Sequence, residues 1–301
     1  MLKGLNPQQT DAVIEPGNVL LTACPGSGKT RALTYKIAYE LERLNNSKKI
    51  IIAVTFTNRA ADEIKKRIRE LNADDTNLWA GTIHSFCLEW ILRPYMCYLD
   101  ELKNGFSISD EYNSENLMSE LKENYGLNFW DSVSTKYLPN GEKEETVYKA
   151  LIDEYHESLA SKKLIDFDQI LHYAHKLILG YPKISEILKN MFHLVCVDEY
   201  QDTQQLQYAI LAKIMKGASG NCKMFFVGDS DQAIYGSLGG VAKELEEIKK
   251  EFGVVFTSKE LSGNYRSNQQ IIDYYRNFQT KDIDIKVLGT NADDIAVMTY
   301  N

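Results

Sequence analysis

The chain of 301 residues carries 34 Lys and Arg against 42 Asp and Glu, a formal net charge of −8, with 44% hydrophobic and 25% charged residues. That length suits two domains, and that composition excludes disordered, collagen-like and disulfide-dense proteins. The negative balance argues against a general polyanion binder but leaves room for a narrow nucleic-acid groove, which local motifs would have to establish.

In chain order, the N-terminal residues 1–7 lack the apolar stretch and cleavage site of a signal peptide. No apolar run approaches the roughly 20 residues that span a bilayer, so no membrane association and a cytoplasmic location are expected. Asn18 to Ala23 reads as a short strand, Cys24 to Gly28 as a Pro/Gly loop, and Lys29 to Leu41 as a helix with apolar residues at helical spacing. Lys49 to Phe56 is a continuous β-branched run, as in a strand buried on both faces. A polar helix, Ala60 to Leu71, follows. Strand, helix, strand, helix implies a parallel sheet covered by helices.

From about Phe86 to about Lys189 the pattern turns helical, with a loop at Pro139 to Lys143. Strands return at Leu194–Val197, Met224–Val227 and Gly253–Thr257. The expected class is therefore α/β, a parallel-sheet core interrupted by a helical insertion of roughly 100 residues. Asp294 to Asn301 reads as a further strand, and its place at the terminus suggests a chain cut in mid-domain rather than a final edge strand.

Cys24, Cys87, Cys97, Cys196 and Cys222 include no pair at CxxC spacing, so reduced and mostly buried thiols are expected. His172 and His175 could share a helix face, but with no third ligand nearby they read as surface or core rather than as a metal site.

The chemistry concentrates in two places. Ala23-Cys24-Pro25-Gly26-Ser27-Gly28-Lys29-Thr30 follows the P-loop pattern with Ala for the first Gly. Its glycines let backbone N–H groups curl around a phosphate, and the helix that follows adds free N–H groups and the positive end of its dipole. Lys29 would reach the β- and γ-phosphates of ATP, and Thr30 would ligate Mg²⁺. Val195-Cys196-Val197-Asp198-Glu199 is an apolar strand ending in two acids, beyond the carboxyl ends of the strands, where ligands of a parallel sheet lie. Asp198 would hold Mg²⁺ through its water shell, and Glu199 would take the proton from the attacking water.

These and further segments resemble the UvrD/Rep/PcrA group of superfamily 1A helicases. They are Leu5 to Gln9, Ala23 to Arg31, Val54 to Ala61, Gly81 to Cys87, Asp166 to Asp168, Asp198 to Thr203, Val227 to Gly236, and Asn264 to Ser267. The resemblance implies a RecA-like core in 1–89 and 190–266, an insertion in 90–189, and the start of a second motor domain in 267–301. It implies that Gln9 reads the adenine edge, Tyr265 stacks on the base, Arg31 lies near the nucleotide, and Gln232 and Arg266 sense the γ-phosphate. For single-stranded DNA or DNA ends it implies base stacking by Phe56 and Tyr235 and backbone contacts from Thr57, Asn58, Thr82, His84 and Ser85. Phe56 has the alternative of a core residue at a strand end. Lys65, Lys66, Arg67 and Arg69 form a basic helix face that reads chiefly as solvated.

Two departures qualify the match. Ser237-Leu238-Gly239-Gly240 stands where the group usually carries an aromatic residue and then Arg, which puts efficient unwinding in doubt. The later helicase motifs, with a second γ-phosphate Arg, are absent, so a complete motor is not expected from 1–301. Thr22 to Leu41, Leu78 to Tyr95 and Gln232 to Gly240 look like the helicase-like subunit of the Gabija antiphage system. That subunit works beside an ATPase–TOPRIM nuclease of the overcoming-lysogenisation-defect family. A stand-alone repair helicase and a non-hydrolysing interaction subunit are the competing readings.

Overall fold

The computed structural model describes residues 2–44, 47–216, 221–232, 240–279 and 283–288. The chain runs through α1 (Pro7–Ile14), β1 (Asn18–Ala23), α2 (Lys29–Arg43), β2 (Ile50–Thr55), α3 (Asn58–Glu70) and β3 (Leu78–Thr82). Next, α4 (Ile83–Phe86) passes through a π-helical turn, Cys87–Leu92, into α5 (Arg93–Tyr95). Then come β4 (Ser107–Ile108), α6 (Glu111–Asn124), α7 (Lys149–Ser161), β5 (Leu164–Ile165), α8 (Phe167–Gly180) and α9 (Pro182–Met191). The remaining elements are β6 (Phe192–Asp198), α10 (Gln205–Met215), β7 (Lys223–Gly228), α11 (Leu245–Phe252), β8 (Phe256–Leu261), β9 (Gly263–Asn264), α12 (Gln269–Arg276) and β10 (Lys286–Val287).

Two compact units result: Met1–Gly81 with Met191–Thr203 and Asn221–Asn301, and Thr82–Asn190 with Gln204–Gly220. The first holds the main sheet, six strands among the described residues in the order β3-β2-β6-β7-β1-β8. The pairings of β1 with β7 and β8, of β6 with β7, and of β2 with β6 are all parallel. The α/β class with a parallel sheet and an inserted helical segment is therefore present. Leu21, Ile51, Ala53, Cys196, Phe225 and Val227 are buried on the strands and pack against Leu33, Ile37, Ile64 and Ile68 of the covering helices. Strands covered by helices in this way need apolar residues throughout, which is why β2 reads Ile-Ile-Ile-Ala-Val.

Below the sheet's amino edge, the fully buried Lys36 pairs with Glu40 at 2.9 Å and donates to the carbonyls of Val13 and Glu15. Glu40 also meets His193 at 2.7 Å and Lys223 at 3.2 Å. Its carboxyl is held well below the ordinary range: burial opposes ionisation, but the His193 hydrogen bond and the charges of Lys36 and Lys223 outweigh it.

The strand expected at Gly253–Thr257 is displaced. Gly253, at φ 67, closes α11 in the left-handed conformation with its N–H on the Lys249 carbonyl, and β8 begins at Phe256. The strand expected at 294–301 lies outside the described residues.

The second unit has its own apolar cluster, Leu121, Leu151, Ile152, Tyr155 and Leu159, between α6 and α7. His172 stacks on Tyr137 with ring centroids 3.9 Å apart, and burial pushes its imidazole down to about 4. His172 is thus a neutral packing residue. Four of the cysteines are buried and Cys97 is exposed, all of them free thiols.

Candidate active site

The carboxyl ends of β1, β6 and β7 converge at the centre of the sheet, and each delivers part of one site. After β1, the loop 24–28 turns with Gly26 at φ 73 and Gly28 at φ 85. Gly28 caps α2 without a side-chain hydrogen bond, leaving the helix's first N–H groups for a ligand. Gly28 also lies against Gln9: a Cβ there would fall 2.7 Å from the Gln9 Nε2. The buried hydroxyl of Ser27 has no partner among the described residues. Burial, then the charge of Asp229, pushes the Cys24 thiol up to about 11, so it stays protonated at neutral pH.

β6 ends at Asp198, and Glu199 follows it directly. Glu199 takes the left-handed conformation, φ 49 and ψ 52, a strained state for a residue with a side chain. There Lys29 Nζ donates to Glu199 Oε2 at 2.8 Å and to Gln232 Oε1 at 3.1 Å. The loop lysine, the acid that follows β6 and the glutamine after β7 therefore meet around one ammonium group.

Gln201, which no sequence pattern singles out, supports this arrangement. Its Nε2 donates to Glu199 Oε2 at 2.9 Å, and its Oε1 accepts the Asp229 N–H at 3.0 Å. Gly228 makes the room, since a Cβ there would fall 2.2 Å from the Gln201 oxygen.

The site is short of positive charge. Burial, then the neighbouring Glu199, pushes Asp198 up to about 7 despite Lys29. Burial raises Asp229 to about 6, and Asp202 is raised by burial and by Glu199. Among the described residues, no group of three or more His, Cys, Asp or Glu side chains could hold a metal by itself. These carboxyls fit a Mg²⁺ that would keep several waters and take ligands from phosphate, with Thr30 and Asp198 the residues expected on its protein side.

The expected base-binding residues gather beside the loop. Asn6 caps α1 in a box with Gln9. The buried Gln9 also donates from Nε2 to the Ser27 carbonyl at 2.9 Å, so both ends of its amide are engaged. Tyr265 is 42% exposed and its hydroxyl accepts from Asn6 Nδ2 at 2.8 Å. Arg31 lies 5.7 Å from the Tyr35 ring centroid, and a Cβ on Gly4 would meet its guanidinium at 2.8 Å. Arg266 is exposed, and its Cβ crowds Gly26.

Of the residues expected at DNA, Phe56 is 51% exposed after β2, which removes the core alternative. Thr57 caps α3 through the Ala60 N–H, and Asn58 is exposed in its first turn. Thr82, His84 and Ser85 belong to the second unit. There Thr82 caps α4 through the Ser85 N–H, and His84 meets Phe167 edge-on at 5.6 Å. Burial holds the His84 imidazole below its usual value, so it is neutral. Tyr235 and Ser237 to Gly239 lie outside the described residues. On the basic helix, Arg67 pairs with Glu63, Arg69 with Asp75 and Lys66 with Glu70, as befits a solvated face.

The family model for the UvrD/REP helicase N-terminal domain matches residues 5–133 and 124–253. The ATP-dependent DNA helicase UvrD1 of Mycobacterium leprae is 31% identical over 329 residues, covering 97% of this chain and 42% of its own. DNA helicase II of Salmonella typhimurium is 33% identical over 292 residues, covering 90% of this chain and 40% of its own. Among solved structures, the Pif1 helicase from Candida albicans gives a TM-score of 0.44 at 14% identity, covering 91% of this chain and 43% of its own. The chain thus spans about two fifths of the length of the curated relatives it matches.

Proposed function

We propose, on the premise that this chain belongs to the UvrD/REP helicase family, that it is the nucleotide-holding part of an ATP-driven motor acting on single-stranded DNA or DNA ends. The observation that carries this is the contact of Lys29 with both Glu199 and Gln232 above the glycine loop. The curated relatives are named as ATP-dependent DNA helicases, which supports both ATP and DNA as ligands.

Lys29 lies within hydrogen-bond reach of both Glu199 and Gln232. In this reading Lys29 binds the β- and γ-phosphates, and Glu199 accepts the proton of the attacking water. Gln232 orients toward the γ-phosphate. Thr30 and Asp198 would hold Mg²⁺, whose charge would offset that of the phosphates. Arg266 meets the charge that develops in transfer, and Tyr265 lies along the base. Gln9 has to give up one of its present bonds to read adenine. Phe56 and Tyr235 stack on bases, while Thr57, Asn58, Thr82, His84 and Ser85 follow the strand's backbone.

In this reading 1–89 and 190–266 form the motor domain, 90–189 is its insertion, and 267–301 begins a second motor domain that completes the cleft. The finer placement is a cytoplasmic Gabija-type antiphage complex with an ATPase–TOPRIM nuclease, supported by the segment resemblance given above. Among the described residues no helix is long and apolar enough to cross a membrane. The second reading is a stand-alone DNA repair helicase; DNA helicase is what the curated relatives' names print.

Titration of a fluorescent ATP analogue with and without Mg²⁺ tests the site. Lys29→Ala is expected to lose most of the affinity, and unchanged binding by this variant would refute the assignment. Co-purification with a nuclease encoded beside the gene separates the two placements.

A further inference from the structure

Asn264 lies in β9, 3% exposed, and every hydrogen-bonding atom of its side chain is engaged. Nδ2 donates to the Pro25 carbonyl at 2.6 Å, and Oδ1 accepts the N–H groups of Arg266 and Ser267 at 2.8 Å each. Beside these, the Tyr265 N–H donates to the Gly26 carbonyl at 2.9 Å. The two turns touch: a Cβ on Gly26 would stand 2.8 Å from the Arg266 Cβ and 2.9 Å from Asn264 Oδ1. The Asn264 carbonyl in turn accepts the Leu288 N–H at 2.8 Å. One buried amide thus fastens the phosphate loop to the turn that carries Arg266.

We propose that Asn264 is the positioning residue that fixes Arg266 over the phosphate loop, a role that rests on the hydrolytic reading above. The Arg266 side chain is exposed, so little packing limits its rotamers. What defines its reach is where its backbone is anchored. A guanidinium stabilises developing phosphate charge only if it starts within reach of it, and a displacement of about 1 Å can cost about 100-fold in rate. The donor half of the amide holds the loop and the acceptor half holds the Arg266 turn, so both halves are needed to set the spacing.

The test is a mutant cycle on turnover in the full-length protein, with Asn264→Ala, Asn264→Asp and Arg266→Ala. Asn264→Ala should lower kcat by about 100-fold. In the Arg266→Ala background the same change should cost no more than about twofold. Asn264→Asp keeps the acceptors for Arg266 and Ser267 but turns a carboxylate oxygen toward the Pro25 carbonyl, so its kcat should fall as far as that of Asn264→Ala. Amide exchange on the same variants should rise in the two turns while β1 stays protected.

Wild-type kcat in Asn264→Asp, or an equal loss with and without Arg266, would overturn the proposal. Loss of β1 protection in both variants would make Asn264 a residue of the fold and overturn it as well. A wild-type protein without turnover would refute the hydrolytic reading and this role with it. Additive losses on an active wild type would refute this role alone.

Discussion

Asp198→Asn should stabilise the nucleotide-free protein at and above neutral pH while impairing Mg²⁺-dependent nucleotide binding. In the fold, desolvation and then the charge of Glu199 push the half-buried Asp198 carboxyl up to about 7. In the unfolded chain it titrates near the ordinary value of about 3.9. Its folded value is the higher, so the stability it contributes is full below about 4 and is lost as pH rises to about 7. At about 1.4 kcal/mol per pH unit, that difference is worth about 4 kcal/mol at its upper bound. Asparagine keeps the oxygen that accepts the Glu199 N–H at 3.1 Å and has no charge to desolvate. Urea unfolding at a series of pH values should therefore show a shallower fall for the variant, with the two curves separating as pH rises. Saturating Mg²⁺ and ATP should restore the wild type more than the variant, since ligand that binds only the folded state adds stability by mass action. Parallel curves across the pH range would refute the assigned strain on Asp198.

Three further outcomes follow from the geometry. Glu40→Gln should cost about 3–5 kcal/mol at neutral pH by leaving the buried Lys36 unpaired. Because the Glu40 carboxyl is held below its ordinary range, the difference should shrink as pH falls below about 4, which urea midpoints in acid would read. Phe56→Ala should weaken single-strand binding by about 1–3 kcal/mol across base compositions, measured by oligonucleotide titration. Its salt slope should stay unchanged, because no phosphate contact is removed. Gly228→Ala should displace Gln201 from Glu199, and steady-state kinetics should show kcat falling more than nucleotide affinity.

The parts of the site that were legible in the sequence are those in which a short local pattern fixes both element and chemistry. The run before Cys24 and the glycines after it specify strand, turn and helix start without help from the rest of the chain. Asp198 and Glu199 were placed by the apolar run that precedes them. Gln201 and Asn264 stand inside recognised segments, yet their work is long-range: Asn264 meets Pro25 across 239 positions, and no spacing rule reports such a contact. β3 is not legible as a strand in the sequence because Leu78-Trp79-Ala80-Gly81-Thr82 is short and neither alternates nor forms a β-branched run. The strand expected from Gly253 failed for a local reason, since the glycine that opens an apolar run also ends the preceding helix. Lys36 reads as one polar position of an amphipathic helix, and only the fold shows it enclosed by Val13, Glu15 and Glu40.

The most direct test of the central claim is phosphate release from ATP by the full-length protein as single-stranded oligonucleotide is added, for the wild type and for Glu199→Gln. The account expects turnover that rises with single-stranded DNA in the wild type. It expects turnover to be abolished in Glu199→Gln, with nucleotide binding nearly intact because the substitution removes the base and leaves the phosphate loop alone. Turnover indifferent to DNA, or hydrolysis by Glu199→Gln at the wild-type rate, would contradict it.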